Sequence, residues 1–223
     1  MQEIEARFLN ISSKDIRTKL KEIGAKRIHK PILFERYTFD LINPNIKGYG
    51  RIRSEGNNVT ATVKIYDNTS KYPIEHELNL NNTLEEAKIF IISLGFTIKS
   101  YQQTIREKWS INNCKELVID TIPGLPTYIE IECDTEKDIK YIAKKLELNY
   151  DDATYGPYGK LFDKYYKIPE KEFNEKISSL TFNNIDKELY MVKNKSSLLK
   201  LKKQQLKLYE KAKNNLKKYI KKK

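Results

Sequence analysis

Apolar and ionic side chains alternate with a period of two at six separate places along this chain. In Met1-Gln2-Glu3-Ile4-Glu5-Ala6-Arg7-Phe8, a strand puts Glu3, Glu5 and Arg7 on one face and Ile4, Ala6 and Phe8 on the other. Residues 50–54 place Arg51 and Arg53 on one face, and residues 59–66 set Thr60, Thr62 and Lys64 against an apolar row. Residues 74–78 present Glu75 and Glu77, residues 104–109 present Arg106 and Lys108, and residues 128–133 present Glu130 and Glu132. Each segment predicts a strand with one apolar and one ionic side. A slip of one residue would exchange the two faces, so the register is well specified.

Helical periodicity appears between these segments. Ser12-Ser13-Lys14-Asp15, Thr83-Leu84-Glu85-Glu86 and Thr135-Glu136-Lys137-Asp138 have the Ser/Thr-x-x-acid form of a helix start. Gly24 and Gly95 stand where the first two helices should end. Ile16, Leu20 and Ile23 in the first, and Leu84, Ala87, Ile91 and Leu94 in the second, have the spacing of a face packed on a sheet. The predicted order is β-α-β-β-β-β-α-β-β-β-α.

Taken singly, any of these strands fits a half-solvated antiparallel sheet. Taken together, their ionic faces sort largely into acidic and basic strands, whereas a solvated surface mixes signs. A closed barrel with a polar lumen accounts for the sorting, because inward and outward positions alternate along every strand. Two carboxylates beside an arginine suit a divalent cation and an anion that the cation also binds, which points to a polyphosphate.

The ordered set Glu-x-Glu-x-Arg, Arg-x-Arg, Thr-x-Lys, Glu-x-Glu, the Arg106 strand and the late Tyr-Ile-Glu-Ile-Glu resembles the CYTH superfamily. That group is named for class IV adenylyl cyclases and thiamine triphosphatases, also called triphosphate tunnel metalloenzymes. The resemblance runs from about Met1 to about Pro169. It implies an α+β fold: an eight-stranded antiparallel β-barrel, the triphosphate tunnel, with helices packed outside and Mg²⁺ or Mn²⁺ bound with the substrate. By position, Glu3, Glu5, Glu130 and Glu132 match the metal-binding carboxylates, and Arg7, Arg51, Arg53, Lys64, Arg106 and Lys108 the phosphate ligands. Glu77 is the expected residue for orienting a water, with Glu75 supporting a metal or pairing with an arginine. Arg7 stands where the signature usually has lysine, Thr104 where a second base is usual, and Leu125-Pro126-Thr127 where Leu-Gly is usual.

Composition adds four points. A length of 223 residues suits one tunnel domain, residues 1–169, and an extension, residues 170–223. No apolar run approaches the roughly 20 residues of a membrane span, and no signal-peptide pattern opens the chain, so a cytoplasmic, intracellular protein is expected. Cys114 and Cys133 fit neither a disulfide framework nor a zinc site, and Cys133 reads as core packing. Charge is uneven: residues 193–223 hold 13 lysines and one acid, so their net +12 equals that of the whole chain. Residues 185 to about 220 read as a basic amphipathic helix. Its readings are a loosely ordered solubilising tail, non-specific contact with nucleic acid or another anionic surface, or a cover for one tunnel mouth.

His29 and His76 are too far apart in sequence to suggest a catalytic pair, and His76 falls on the apolar side of its strand. Tyr155-Gly156-Pro157-Tyr158-Gly159 reads as a rigid turn or an aromatic surface for a nucleobase, and Tyr37 or Phe39 as a border of the site. Three functions stay open. They are a divalent-metal-dependent hydrolase of inorganic triphosphate, a nucleoside triphosphate or an RNA 5′-triphosphate; a class IV-like adenylyl cyclase; and a non-catalytic polyphosphate- or nucleotide-binding module. A homodimer is left open.

Overall fold

The computed structural model describes residues 4–66 and 69–221. Eight strands, β1 (Glu5–Phe8), β2 (Lys26–Phe39), β3 (Gly48–Glu55), β4 (Asn58–Ile65), β5 (Ile74–Leu80), β6 (Ile98–Ile111), β7 (Cys114–Thr121) and β8 (Tyr128–Cys133), form one antiparallel sheet ordered β1-β8-β7-β6-β2-β3-β4-β5. Register shifts between Arg27 and Ile32, and again at Thr38–Phe39, interrupt the long β2–β6 pairing. Such irregularities bend strands, and the sheet curls so that all eight carry side chains into one lumen. The α+β fold and the eight-stranded antiparallel sheet with helices outside are as expected from the motifs; the barrel, expected to be closed, is a curled half-barrel, because among the described residues β1 and β5 end the ladder without pairing with each other.

The helices sit outside, in the predicted order. Helix α1 (Ser13–Glu22), capped by Ser12, buries Ile16 and Leu20; α3 (Glu136–Lys145), capped by Thr135, buries Ile139, Ile142 and Ala143. They share one core with Ala6, Phe8, Trp109, Leu117, Ile129 and Ile131 from the outer faces of the sheet. Arg17 of α1 reaches Glu107 Oε2 at 2.8 Å, which supplies a partner to a carboxylate only 1 % exposed. Helix α2 (Leu84–Ser93) begins with a complete capping box, Thr83 with Glu86, and lays Ala87 over Phe39, Ile52 and Val59. Gly50 makes that packing feasible, since a Cβ there would overlap the Phe39 ring.

Two expectations on this side need correction. Leu94 is 54 % exposed rather than packed, and His76 is exposed rather than buried in an apolar face. The exposure of His76 goes with the position of β5 at the end of the ladder: α2 packs on β3 and leaves Ile74, His76 and Leu78 of β5 exposed, with Leu80 alone of that face partly buried.

The seam between the ladder ends β1 and β5 is spanned by a backbone bridge and by side chains. Thr154 forms an isolated antiparallel bridge with Arg7. The next residue, Tyr155, packs edge-on against Tyr72 at a centroid distance of 6.0 Å, just before β5. Lys71 lies over both rings and pairs with Glu136 of α3 at 3.0 Å.

The chain then runs through α4 (Gly159–Tyr166), α5 (Glu170–Lys176), the short β9 (Ser179–Leu180) parallel to β6, α6 (Ile185–Glu188) and α7 (Lys195–Ile220). The long basic helix thus starts ten residues later than the periodicity indicated, capped by Asn194. It is not a loose tail. Leu198, Gln205, Tyr209 and Ala212 are buried, and Phe182, Leu33 and Ile105 form a core with the last two. Gln205 donates to the carbonyls of Ile122 and Leu125, at 2.9 and 2.8 Å, and accepts from Gly124 N–H at 2.9 Å.

The cysteine expectation is overturned: Cys114 and Cys133 form a disulfide. They face each other across the β7–β8 ladder, a juxtaposition set by register rather than by spacing in the chain. Disulfides are rare in a reducing, intracellular setting, so this pairing runs against the location expected from the sequence. Among the described residues no helix is long and apolar enough to cross a membrane.

Candidate functional site

The lumen has a volume of about 370 Å³ and receives ionic side chains from every one of the eight strands. The alternation that builds the strands also aims these groups. Glu5 and Arg7 from β1, Arg51 and Arg53 from β3, Lys64 from β4, Glu75 and Glu77 from β5, Arg106 and Lys108 from β6, and Glu130 and Glu132 from β8 all line it. Every sequence-expected site residue within the described region is therefore brought to one cavity. Glu3 lies outside the described residues.

Their charges are held by one another. Arg7 donates to Glu130, to Glu5 Oε1 at 2.9 Å and to the carbonyl of Gly156. Burial lowers the Arg7 pKa, but Glu130 and Glu5 more than offset it and hold it well above its ordinary value. Arg106 forks onto Asp120 at 2.7–3.2 Å, donates to Glu116 at 3.0 Å and lies 3.6 Å from Glu130. Burial would raise the Glu116 pKa, yet Arg106 and Lys108 bring it down to about 2. Burial likewise opposes ionisation of Glu130, and Arg7 and Arg106 reverse the balance. On the other wall, Lys64 Nζ is 2.6 Å from Glu75, and Arg51 Nη2 meets Glu77 at 3.2 Å and Thr62 Oγ1 at 3.0 Å. Arg53 pairs with Glu55, whose pKa stays lowered against the opposing effect of burial.

Arg51 Nε is buried and, among the described residues, has no hydrogen-bond acceptor. Leaving such a donor unsatisfied costs about 1–3 kcal/mol, a cost that an oxyanion in the lumen would remove.

Carboxylates also line up across strands. Glu5 faces Glu132 in the β1–β8 register, and Glu132 faces Glu116 in the β7–β8 register. Like charges directly opposite are destabilising unless cations intervene; here Arg7 serves Glu5, and Lys115 serves Glu132 at 2.8 Å. The row offers only carboxylate oxygens, the donor set of a hard divalent cation such as Mg²⁺ or Mn²⁺. Its chemistry therefore fits that ion, although among the described residues no three acidic, histidine or cysteine side chains converge as a ligand cluster.

Several charged groups escaped the sequence reading, among them Arg36 and Glu116, which line the lumen, and Asp120, which is fully buried behind Arg106. Arg36 sits inside the long β2, where the ionic alternation is broken by Pro31-Ile32-Leu33-Phe34. Glu116 and Asp120 flank the continuous apolar run Leu117-Val118-Ile119, which hides their common face. Tyr158 places its ring 4.4 Å from the Arg36 guanidinium and 5.5 Å from that of Arg7. The 155–159 turn is thus part of the lumen wall. Tyr37 and Phe39, expected at its border, instead face α2, with Tyr37 Oη donating to Glu85 at 3.0 Å. Alternation along β2 leaves Arg36 and Thr38 inside.

No protein-family profile and no curated protein matches the sequence. Solved structures do. The PH1012 protein of Pyrococcus horikoshii OT3 is 24 % identical with a TM-score of 0.59, covering 70 % of this chain and 96 % of its own. A conserved hypothetical protein of Pyrococcus furiosus is 22 % identical with a TM-score of 0.57, over 70 % and 97 %. A Vibrio parahaemolyticus protein provisionally named an adenylate cyclase is 13 % identical with a TM-score of 0.61, over 73 % and 98 %. Likeness at this level, together with the strand order, shows the fold: a curled eight-stranded antiparallel sheet with helices outside, shared with these structures and consistent with the resemblance of the motifs.

Proposed function

We propose that this protein is a divalent-metal-dependent hydrolase of a triphosphate bound in the lumen. The observation that carries the reading is the buried, acceptor-less Nε of Arg51. It lies in a cavity where Arg7, Arg36, Arg53, Lys64 and Arg106 are each less than a tenth exposed. Buried cations at this density suit a polyanion as well as their carboxylate partners, and guanidinium forks match phosphate oxygens bidentately. Arg7, Arg51, Arg53, Lys64, Arg106 and Lys108 bind the phosphate chain and draw its oxygens into a fixed line. Glu5, Glu130 and Glu132, with Glu3, would hold the cation, which when bound supplies charge neutralisation and Lewis acidity.

Glu77 is the water-orienting residue. It is the more exposed of the two β5 carboxylates, and Arg51 and Thr62 hold it through one oxygen. Glu75 keeps Lys64 and Arg51 placed. Attack by water in line with the terminal phosphorus–oxygen bond releases orthophosphate, and the basic wall stabilises the charge that shifts to the leaving group.

The test is one reaction panel with Mg²⁺ or Mn²⁺: inorganic triphosphate, ATP, GTP and a 5′-triphosphorylated RNA. Orthophosphate, pyrophosphate and cyclic nucleotide are scored together. Orthophosphate without cyclic nucleotide is expected, with pyrophosphate as the co-product from inorganic triphosphate and a 5′-diphosphate from ATP, GTP or the RNA; it should be abolished by a chelator and reduced about 10²-fold in kcat by Glu77→Gln. Equal amounts of pyrophosphate and cyclic AMP would replace this reading with a cyclase. Tight triphosphate binding without turnover would replace it with a binding module.

A further inference from the structure

Helix α7 carries its lysines on one side. At 3.6 residues per turn, Lys200, Lys203, Lys207, Lys211, Lys218 and Lys221 fall within about 80° of arc, with Asn214 completing the stripe. All are exposed. The ion pairs of this helix, Lys202 with Asp186 and Lys213 with Glu210, lie off the stripe. From Lys200 to Lys221 the row is about 32 Å long, with about 5 Å of rise between turns.

This row works against the helix that bears it, since like charges three and four residues apart destabilise a helix. A merely solvating face would mix signs. The opposite face is fixed to the sheet by Tyr209, Ala212 and the three hydrogen bonds of Gln205, and Asn215 Nδ2 donates to the Pro31 carbonyl at 2.8 Å. The stripe is therefore held on a helix whose other face is anchored to the sheet. The comparison structures, matched over nearly their whole length, leave more than a quarter of this chain without counterpart.

The surface selects its partner by what it lacks. Its apolar side is occupied by protein, and the exposed Leu199 and Ile220 lie off the stripe, so it cannot embed in a bilayer as an interfacial helix does. It carries no aromatic ring on which unpaired bases could stack. What remains is a line of point charges for a stiff, closely spaced line of phosphates. We propose that α7 docks the phosphate backbone of double-helical nucleic acid without regard to sequence. The proposal is independent of the chemistry in the lumen.

The test uses the full chain and a short mixed-sequence duplex, with fluorescence anisotropy across a salt series. Lys203→Gln with Lys207→Gln and Lys211→Gln should weaken binding at least about tenfold near 50 mM salt. It should also lower the slope of log K against log salt by about 2 to 3. A charge-matched control, Lys21→Gln with Lys137→Gln and Lys144→Gln, should leave both unchanged, and thermal unfolding checks that both variants fold. Absence of duplex binding at low salt would overturn the proposal. So would equal losses in the two variants, or tighter binding to single strands or anionic vesicles than to the duplex.

Discussion

Replacing Arg106 by methionine tests whether the lumen is organised by charge pairing. The substitution keeps much of the volume and removes a guanidinium that is 6 % exposed and contacts Asp120, Glu116 and Glu130. Asp120 is fully buried, so its carboxylate would lose its principal partner without gaining water. Breaking a buried pair from one side costs about 3–5 kcal/mol. For a chain of this size that corresponds to a fall of roughly 6–20 °C in Tm. The pH dependence is the sharper signature. Burial already raises the Asp120 pKa above its ordinary value, with Arg106 opposing the rise. Without Arg106 it rises further, the fold favours the protonated acid, and the penalty shrinks as pH falls through the new folded pKa. Urea unfolding of wild type and variant at pH 7 and pH 5 measures this, and Asp120→Asn in the variant background should restore much of the loss. A difference below about 1 kcal/mol at pH 7, or one unchanged at pH 5, would refute the reasoning.

Glu116, at about 2 in the fold, contributes stability that is present above its unfolded pKa near 4.5 and is lost as pH falls towards 2. The contribution is about 3 kcal/mol, and Glu116→Gln should flatten that acid limb in a denaturation series. Gln205→Leu leaves Gly124 N–H and the carbonyls of Ile122 and Leu125 without their partner, and should lower stability by about 2–4 kcal/mol. An unchanged Tm would mean that α7 is not held there. Reducing the Cys114–Cys133 disulfide, which closes a loop of 19 residues in sequence separation, should cost about 2–4 kcal/mol. Cys133→Ser should unfold at the same midpoint with and without reductant.

Most of the lumen was legible because a strand displays its face in every second residue. Arg51-Ile52-Arg53 and Glu130-Ile131-Glu132 declare their inward groups without reference to any partner. Arg36, Glu116 and Asp120 were not legible, because their strands are buried on both faces and read as apolar runs in which single charges look incidental. Tyr158 was equivocal for another reason: a Gly-Pro-Tyr turn has the same sequence whether it faces solvent or two arginines.

By itself the sequence determined six of the eight strands with their ionic faces, and where three helices begin. These are properties of a few adjacent residues, set by side-chain alternation and by caps that satisfy the first free N–H groups. Only the tertiary structure decided that Cys114 meets Cys133, that Arg106 serves Asp120 rather than solvent, that β5 leaves His76 exposed, and that α7 is clamped by Gln205. Each depends on the register between strands or on packing between segments up to about a hundred residues apart. No local pattern encodes that distance; it is set when the sheet curls and buries its charges together.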